Sequence, residues 1–297
     1  MNKLFYFPSV QATHVKVNHG CFVGLPSMTG LTGLNRHFCI ALCRELGLPV
    51  DALQPSGALL AIEGYHLHEG FKKTHKPGKT TYEAVPAAWA SFTAHIALDV
   101  QATSEDAANL LAGADLGDIA AELLGDMSLC KGSLTNVKQA ANLQHPRLAG
   151  LGTERERVLR LLPSASMVVC DYSHLVVAMR AAQLNLMEGL VAATLRHAQR
   201  PALYRAFFED DDIYAHQAYL APVMNGLMFL EDTPSGVSVR QNALGNTTPS
   251  LVSSPAFTLT RLQKAASVRI QMAEEEISAA FWKEFRDPTG FYCRAAE

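Results

Sequence analysis

The most regular stretch of the chain is ASFTAHIALDV at 90–100. There Phe92, Ala94, Ile96, Leu98 and Val100 alternate with Ser91, Thr93, His95, Ala97 and Asp99. A period of two predicts a strand with one face on a core. LFYFPSV at 4–10 reads as another strand, marked at its end by Pro8, and ALLAIEGYHLH at 58–68 as a third. Between 32 and 46 the period changes: Leu34, Phe38, Ala41, Leu42 and Leu46 fall on one face of a helix that Gly47 and Pro49 end. Ser104, followed by Glu105 and Asp106, predicts a second helix, interrupted at a glycine and closed near Gly125. A short strand is expected in DMSLCKG or in ASMVVCD.

In order, the first 172 residues read strand, helix, strand, strand, helix, strand. This is the ferredoxin-like split unit, an antiparallel sheet with two helices on one face and the other face free. The connection at 69–87 is far longer than a tight turn requires and predicts a projecting hairpin, a finger or thumb. From 173 to 297 the pattern reads as mainly helical. It comprises one long helix over 174–199 ending at Arg200 and Pro201, a turn-rich loop over 232–256 and a last helix over 260–285. The fold class is therefore α+β, a sheet domain at 1–172 beside a mainly helical region.

Composition narrows the functional classes. No apolar run among the 297 residues reaches the roughly 18 needed to span a membrane, and MNKLFYFPSV lacks the features of a secretory signal. The expectation is a cytoplasmic protein with no membrane partner. Six scattered cysteines do not form a disulfide framework. Cys39 and Cys43 lie one helical turn apart beside His37, but no second ligand pair accompanies them, so neither metal nor cofactor is expected.

The net charge of −3 hides a lopsided distribution. Residues 1–44 contain no acid while carrying Lys3, Lys16, Arg36, Arg44 and the histidines 14, 19 and 37. FKKTHKPGKT at 71–80 carries Lys72, Lys73, His75, Lys76 and Lys79, again without an acid. Two acid-free basic segments in a nearly neutral protein point to a polyanion bound on one face.

One of these segments contains GCFVGLPSMTGLTGLNRHF at 20–38. Leu34 and Asn35 follow Gly33 where a phosphate-binding P-loop needs lysine and a hydroxyl. The spacing also fails the dinucleotide fingerprint and the nucleophile elbow. What remains is a glycine-rich loop opening a helix, where free N–H groups and the helix dipole favour an anion. Gly24, Ser27, Thr29, Thr32 and Gly33, with Lys16, His19 and Arg36, suit phosphate oxygens of a nucleic acid. The alternative is that the glycines serve a turn and one hydroxyl caps the helix. His66, His68 and His75 near the lysines allow a metal-independent ribonuclease as a rival reading. The aspartates at 210–212 read as a solvated loop rather than a magnesium site.

The run FPSVQATHVKVNHGCFVGLPSMTGLTGLNRHF at 7–38 resembles the opening of the subunit that caps the 5′ handle of the guide RNA (crRNA) in type I-F CRISPR surveillance complexes, a Cas-five type member of the RAMP superfamily. MSLCKGSL at 127–134, RVLRLLPSASMVV at 157–169 and the tail FWKEFRDPTGFYCR are similar to later segments of that family. The resemblance implies a RAMP ferredoxin-like domain with its thumb at about 69–87, and a noncatalytic RNA-binding role. It also implies partners in the crRNA and the Cascade backbone subunits. Lys131, within MSLCKGSL, joins the RNA-binding set. Residues 173–256 have no counterpart that aligns; contact with target double-stranded DNA near the PAM is the role the resemblance leaves open for them. A protein-interaction scaffold that binds no nucleic acid is the third class.

Overall fold

The structure is a computed structural model. It describes residues 1–19, 22–76, 79–113, 115–144, 148, 150–195, 199–208, 219–229, 238–241, 247–250, 253–271, 274–287 and 290–296, with side chains at all of these except 69–88, 206–207, 229 and 238–250. The protein is α+β. Ten strands form one sheet in the order β11-β12-β7-β10-β6-β2-β3-β1-β5-β4, every pairing antiparallel. In chain order they are β1 (Asn2–Lys16), β2 (Leu53–Lys76), β3 (Lys79–Ala102), β4 (Ser128–Leu129), β5 (Gly132–Thr135), β6 (Met167–Asp171), β7 (Tyr219–Phe229), β10 (Ser253–Lys264), β11 (Trp282–Asp287) and β12 (Gly290–Ala295). The remaining strands, β8 (Ser238–Gln241) and β9 (Thr247–Ser250), pair with each other.

Helix α1 (Met28–Glu45) packs with α2 (Glu105–Gly113) and α3 (Gly117–Gly125) over one face of β1, β3 and β2. Phe38 of α1 is fully buried, edge-on to Phe5 at 5.3 Å and to Phe7 at 6.0 Å between ring centroids. Ser104 accepts a hydrogen bond from the Ala107 N–H at 3.3 Å, capping α2 as its sequence predicts. Both predicted sites of a short strand, 126–132 and 165–171, carry strands.

Three expectations are corrected. The sheet is ten-stranded because the second half of the chain is not mainly helical: β7, β10, β11 and β12 join it. These strands run from β6 to β11, and both ends meet one edge of β2, at Ala61–Ile62 and at Ala58. Fully buried Trp282 sits at that junction and donates its indole N–H to the Val169 carbonyl at 2.8 Å. Second, the sheet face expected to be free is covered over its lower half. Leu4, Tyr6, Leu59, Ala61 and Ala97 are buried there beneath Leu143, α4 (Glu154–Leu161), α8 (Ala265–Ile270) and Phe281. Asp99 on that face pairs with Arg155 of α4 at 2.9 Å.

Third, the long helix over 174–199 is two helices, α5 (Ser173–Ala181) and α6 (Leu186–Thr194). Gln183 between them has φ of +54°, and Asn185 caps α6 by accepting from the N–H groups of Met187 and Glu188. A short polar side chain that bonds the backbone locally favours a cap over a helix interior. With α7 (Ala202–Phe207) these helices enclose a third apolar cluster against Leu220 and Leu259. The helix expected over 260–285 is the end of β10, then α8 and α9 (Glu274–Ala279), then β11. Among the described residues no helix is long and apolar enough to cross a membrane.

Candidate nucleic-acid interface

β2 and β3 outrun the core. Leu59, Leu60, Ala61 and Ile62 are buried, whereas Tyr65 is 37% and Leu67 41% exposed. Beyond them the two strands continue as a projecting hairpin, with Lys72 paired to Glu83, Lys73 to Tyr82, His75 to Thr80 and Lys76 to Lys79. This hairpin occupies the place of the expected finger. The side chains of Lys72, Lys73, His75, Lys76 and Lys79 lie outside the described residues.

The segment after β1 folds back against the root of this finger. Gly24 N–H donates to the Val17 carbonyl at 3.1 Å, and His19 N–H to the Phe22 carbonyl at 3.1 Å. The His19 ring bonds the Leu25 carbonyl through Nε2 at 3.2 Å, which requires the proton to be on that nitrogen. Burial pushes the His19 pKa down; the Leu25 bond opposes this and Lys16 adds to it. His19 therefore serves this loop as a neutral donor. The Gly24 carbonyl accepts from the Tyr65 hydroxyl, and Tyr65 stacks on Phe92 at 5.9 Å and 14°. The loop and the finger root are thus held side by side.

Lys16, in register with Trp89 at the finger root, donates its backbone N–H to the Cys130 carbonyl at 3.0 Å. Cys130 and Lys131 form the two-residue turn between β4 and β5, with φ of +48° and +70°. Such paired positive φ values match the turn to the strand twist. Lys131 is exposed on this turn. Lys16, His19, Gly24 and Lys131 therefore gather beside the finger.

Of the rest of the predicted set, Ser27 lies against Cys130, Oγ to Sγ at 3.6 Å, while Thr32, Gly33 and Arg36 go elsewhere along α1. The helix begins at Met28, not near 32, so Gly30 and Gly33 lie inside α1 rather than in a loop, and their amides belong to its start and interior. Ser27 is buried and caps α1, accepting from the Gly30 N–H and the Thr29 hydroxyl, both at 3.1 Å. Buried Thr32 donates to the Met28 carbonyl at 3.2 Å and contacts Cys293 Sγ at 3.1 Å. These hydroxyls serve the fold, which realises the capping alternative. Gly33 is exposed, with open space where a Cβ would stand. Arg36 pairs with Glu284 of β11, which Arg286 also reaches at 3.2 Å. Cys39 and Cys43 are buried while His37 between the same turns is exposed, so the three do not converge. The aspartates at 210–212 lie outside the described residues.

Sequence reasoning missed Gly30, whose added Cβ would stand 2.2 Å from Cys130 Sγ, and Tyr65, which links loop and finger. It also missed an apolar cleft of about 600 Å³ behind Tyr65, walled by Leu25, Ile62, Met167, Tyr219 and Leu262. Of these, only Tyr65 left a signal, as an aromatic at the end of an apolar strand. In comparison with known proteins, no family model and no curated sequence matches the chain.

Proposed function

We propose that the protein is a noncatalytic guide-RNA-binding subunit, of the kind that caps the crRNA 5′ handle in a type I-F CRISPR surveillance complex. The observation that carries this reading is the tie between Tyr65 and Gly24, which sets the folded-back loop, with Lys16 and Lys131, against the root of a lysine-bearing finger. A single-stranded nucleic acid is held by a cationic groove that tracks its phosphates and by aromatic platforms for its bases. Lysines along the finger provide the first, and exposed Tyr65 and Tyr219 the second.

Within the ten-stranded sheet, the order β5-β1-β3-β2 with α1, α2 and α3 on one face supports a ferredoxin-like unit of the RAMP type. Strand order alone fixes no function, so the interface carries the argument. Backbone subunits of the complex are the proposed protein partners. Residues 173–256 remain the candidate contact with target double-stranded DNA. A ribonuclease is the second reading, because His66 and His68 stand 5.2 Å apart between ring centroids. Incubation of the purified chain with guide-length RNA in chelator separates the two. Retention of intact RNA supports the binding subunit, a defined cut supports the ribonuclease, and no binding at any salt concentration rejects both.

A further inference from the structure

We propose that His14, His66 and His68 form a proton-gated site for a phosphate group at the root of the finger. The inference deepens the RNA-binding reading and rests on it for the identity of the natural ligand, a ribose-phosphate strand.

Three strands build the cluster. His66 of β2 stands in register with Ser91 of β3, and His14 of β1 bonds the same serine through its backbone N–H to Oγ at 3.4 Å. His68 Nε2 lies 2.7 Å from Ser91 Oγ. The His14 ring stacks on His68 at 5.3 Å and 14°, and His66 meets His68 edge-on at 5.2 Å and 83°. β1 and β2 flank β3, so their backbones run about 9–10 Å apart, two strand spacings. Rings 5.3 Å apart therefore have to lean inward over β3.

Ladder irregularities accompany that lean, one of them on β2 between His68 and Gly70. β1 breaks register between Ala12 and Val15, where His14 has φ of +54°; β2 breaks between Glu63 and His66, where Gly64 has φ of +58°. A bulge re-aims side chains, and a non-glycine residue in the left-handed region persists only where its surroundings impose it.

Imidazole is the side chain whose charge ordinarily changes between pH 5 and 8. An imidazolium presents N–H donors and no acceptor, so converging rings favour an anion among them when they carry protons. Proton uptake and anion binding are then linked, each promoting the other. His14 and His66 are exposed, and the Ser91 hydroxyl is able to accept from protonated His68. Along the same elements, Lys16 follows His14 by two residues on β1, Lys131 lies in the β4–β5 turn, Glu63 precedes His66 on β2, and His95 precedes Asp99 on β3. Glu63 faces His95 at 3.8 Å, and both lysines favour an anion. Phosphate, tetrahedral and multiply hydrogen-bonding, suits donors that converge from three strands.

The test uses the full chain. Histidine ring proton resonances are followed by NMR while dimethyl phosphate, a phosphodiester whose charge is constant over this range, is added at pH 5.8 and pH 7.8, at constant ionic strength. The expected result is a saturable shift of the His14, His66 and His68 signals, with affinity about tenfold or more weaker at the higher pH. Shifts spread evenly over all histidines, or equal affinity at both pH values, overturn the site. In parallel, binding of a single-stranded RNA is measured from pH 5.5 to 8. Wild-type affinity is expected to fall as pH rises, and His66→Gln, at an exposed position, is expected to flatten that fall, with His14→Gln as the second variant. An unchanged slope in both variants refutes the inference while leaving RNA binding intact. Phosphate binding at the cluster without RNA binding at any pH does the reverse, keeping the site and rejecting the RNA-binding reading.

Discussion

The two halves of the β2–β3 hairpin share strands and pairing yet meet opposite surroundings. Below Ile62, both faces are covered: Leu60, Ile96 and Leu98 lie under α1, and Leu59, Ala61 and Ala97 under α4, α8 and Phe281. Above it the same ladder leaves the core, exposing Tyr65, His66 and Leu67, and continues through the backbone positions of Lys72, Lys73, Lys76 and Lys79. Burial on two faces fixes register and direction, because a one-residue slip would turn every core side chain over. The lower half therefore acts as a rigid mount for the strands that continue above it. A recognition element on a clamped ladder binds with less ordering cost than one on a free loop.

Substitutions in the lower half are expected to act on stability. The largest effect is expected at Trp282, where Trp282→Ala removes a fully buried indole at the junction of β11, β6 and β2 and leaves the Val169 carbonyl without its donor. Urea denaturation should show a loss of about 4 kcal/mol; a loss below 1 kcal/mol would mean that the junction does not brace β2.

Next is the Arg155–Asp99 pair. Burial raises the Asp99 pKa, with Arg155 pulling it back down. A carboxyl whose folded pKa is raised keeps its proton to a higher pH in the native state than in the unfolded chain, so its stabilising effect is present at low pH and lost as pH rises through the folded value. Arg155→Met raises that value further. It should cost about 3 kcal/mol at pH 7.5 and clearly less at pH 4.5, read from denaturation curves at both pH values. Equal losses would contradict the sign.

Two glycines of one helix give smaller, opposite effects. Gly30→Ala places a methyl 2.2 Å from Cys130 Sγ and should destabilise by about 1–3 kcal/mol. Gly33→Ala meets open space on an exposed helix surface and should raise stability by about 0.5–1 kcal/mol in thermal unfolding. If Gly33→Ala is stabilising yet weakens RNA binding, a ligand backbone approaches α1 there; if binding is unchanged, the interface ends before Gly33.

The finger and the α1 face were legible because each rests on local pattern: a strand pair interrupted by a long basic insertion, and a helical stripe from Leu34 to Leu46. The covered second face was not. His95 and Asp99 read as a solvent-facing row, but both are buried with partners that pattern cannot supply: Tyr6, Glu63 and the Ser9 N–H for one, Arg155 for the other. β7 and β10 were missed for a related reason. Buried Thr258, Thr260 and Gln263 break the alternation of β10, and YLAPVMNGLMF has no period of two. The helix was expected four residues too late because helix starts are set by capping, and Ser27 is the cap. The role of Tyr65 depends on a contact across 41 residues.

The claim that the upper hairpin grips a ribose-phosphate strand is tested most directly by the salt dependence of RNA binding in a variant with Lys72, Lys73, Lys76 and Lys79 all replaced by alanine. Each phosphate contact contributes about 0.7 to the slope of log affinity against log salt on a single strand. The account predicts weaker binding and a slope shallower by up to about three, with unfolding unchanged. An affinity and slope equal to those of the wild type would contradict it.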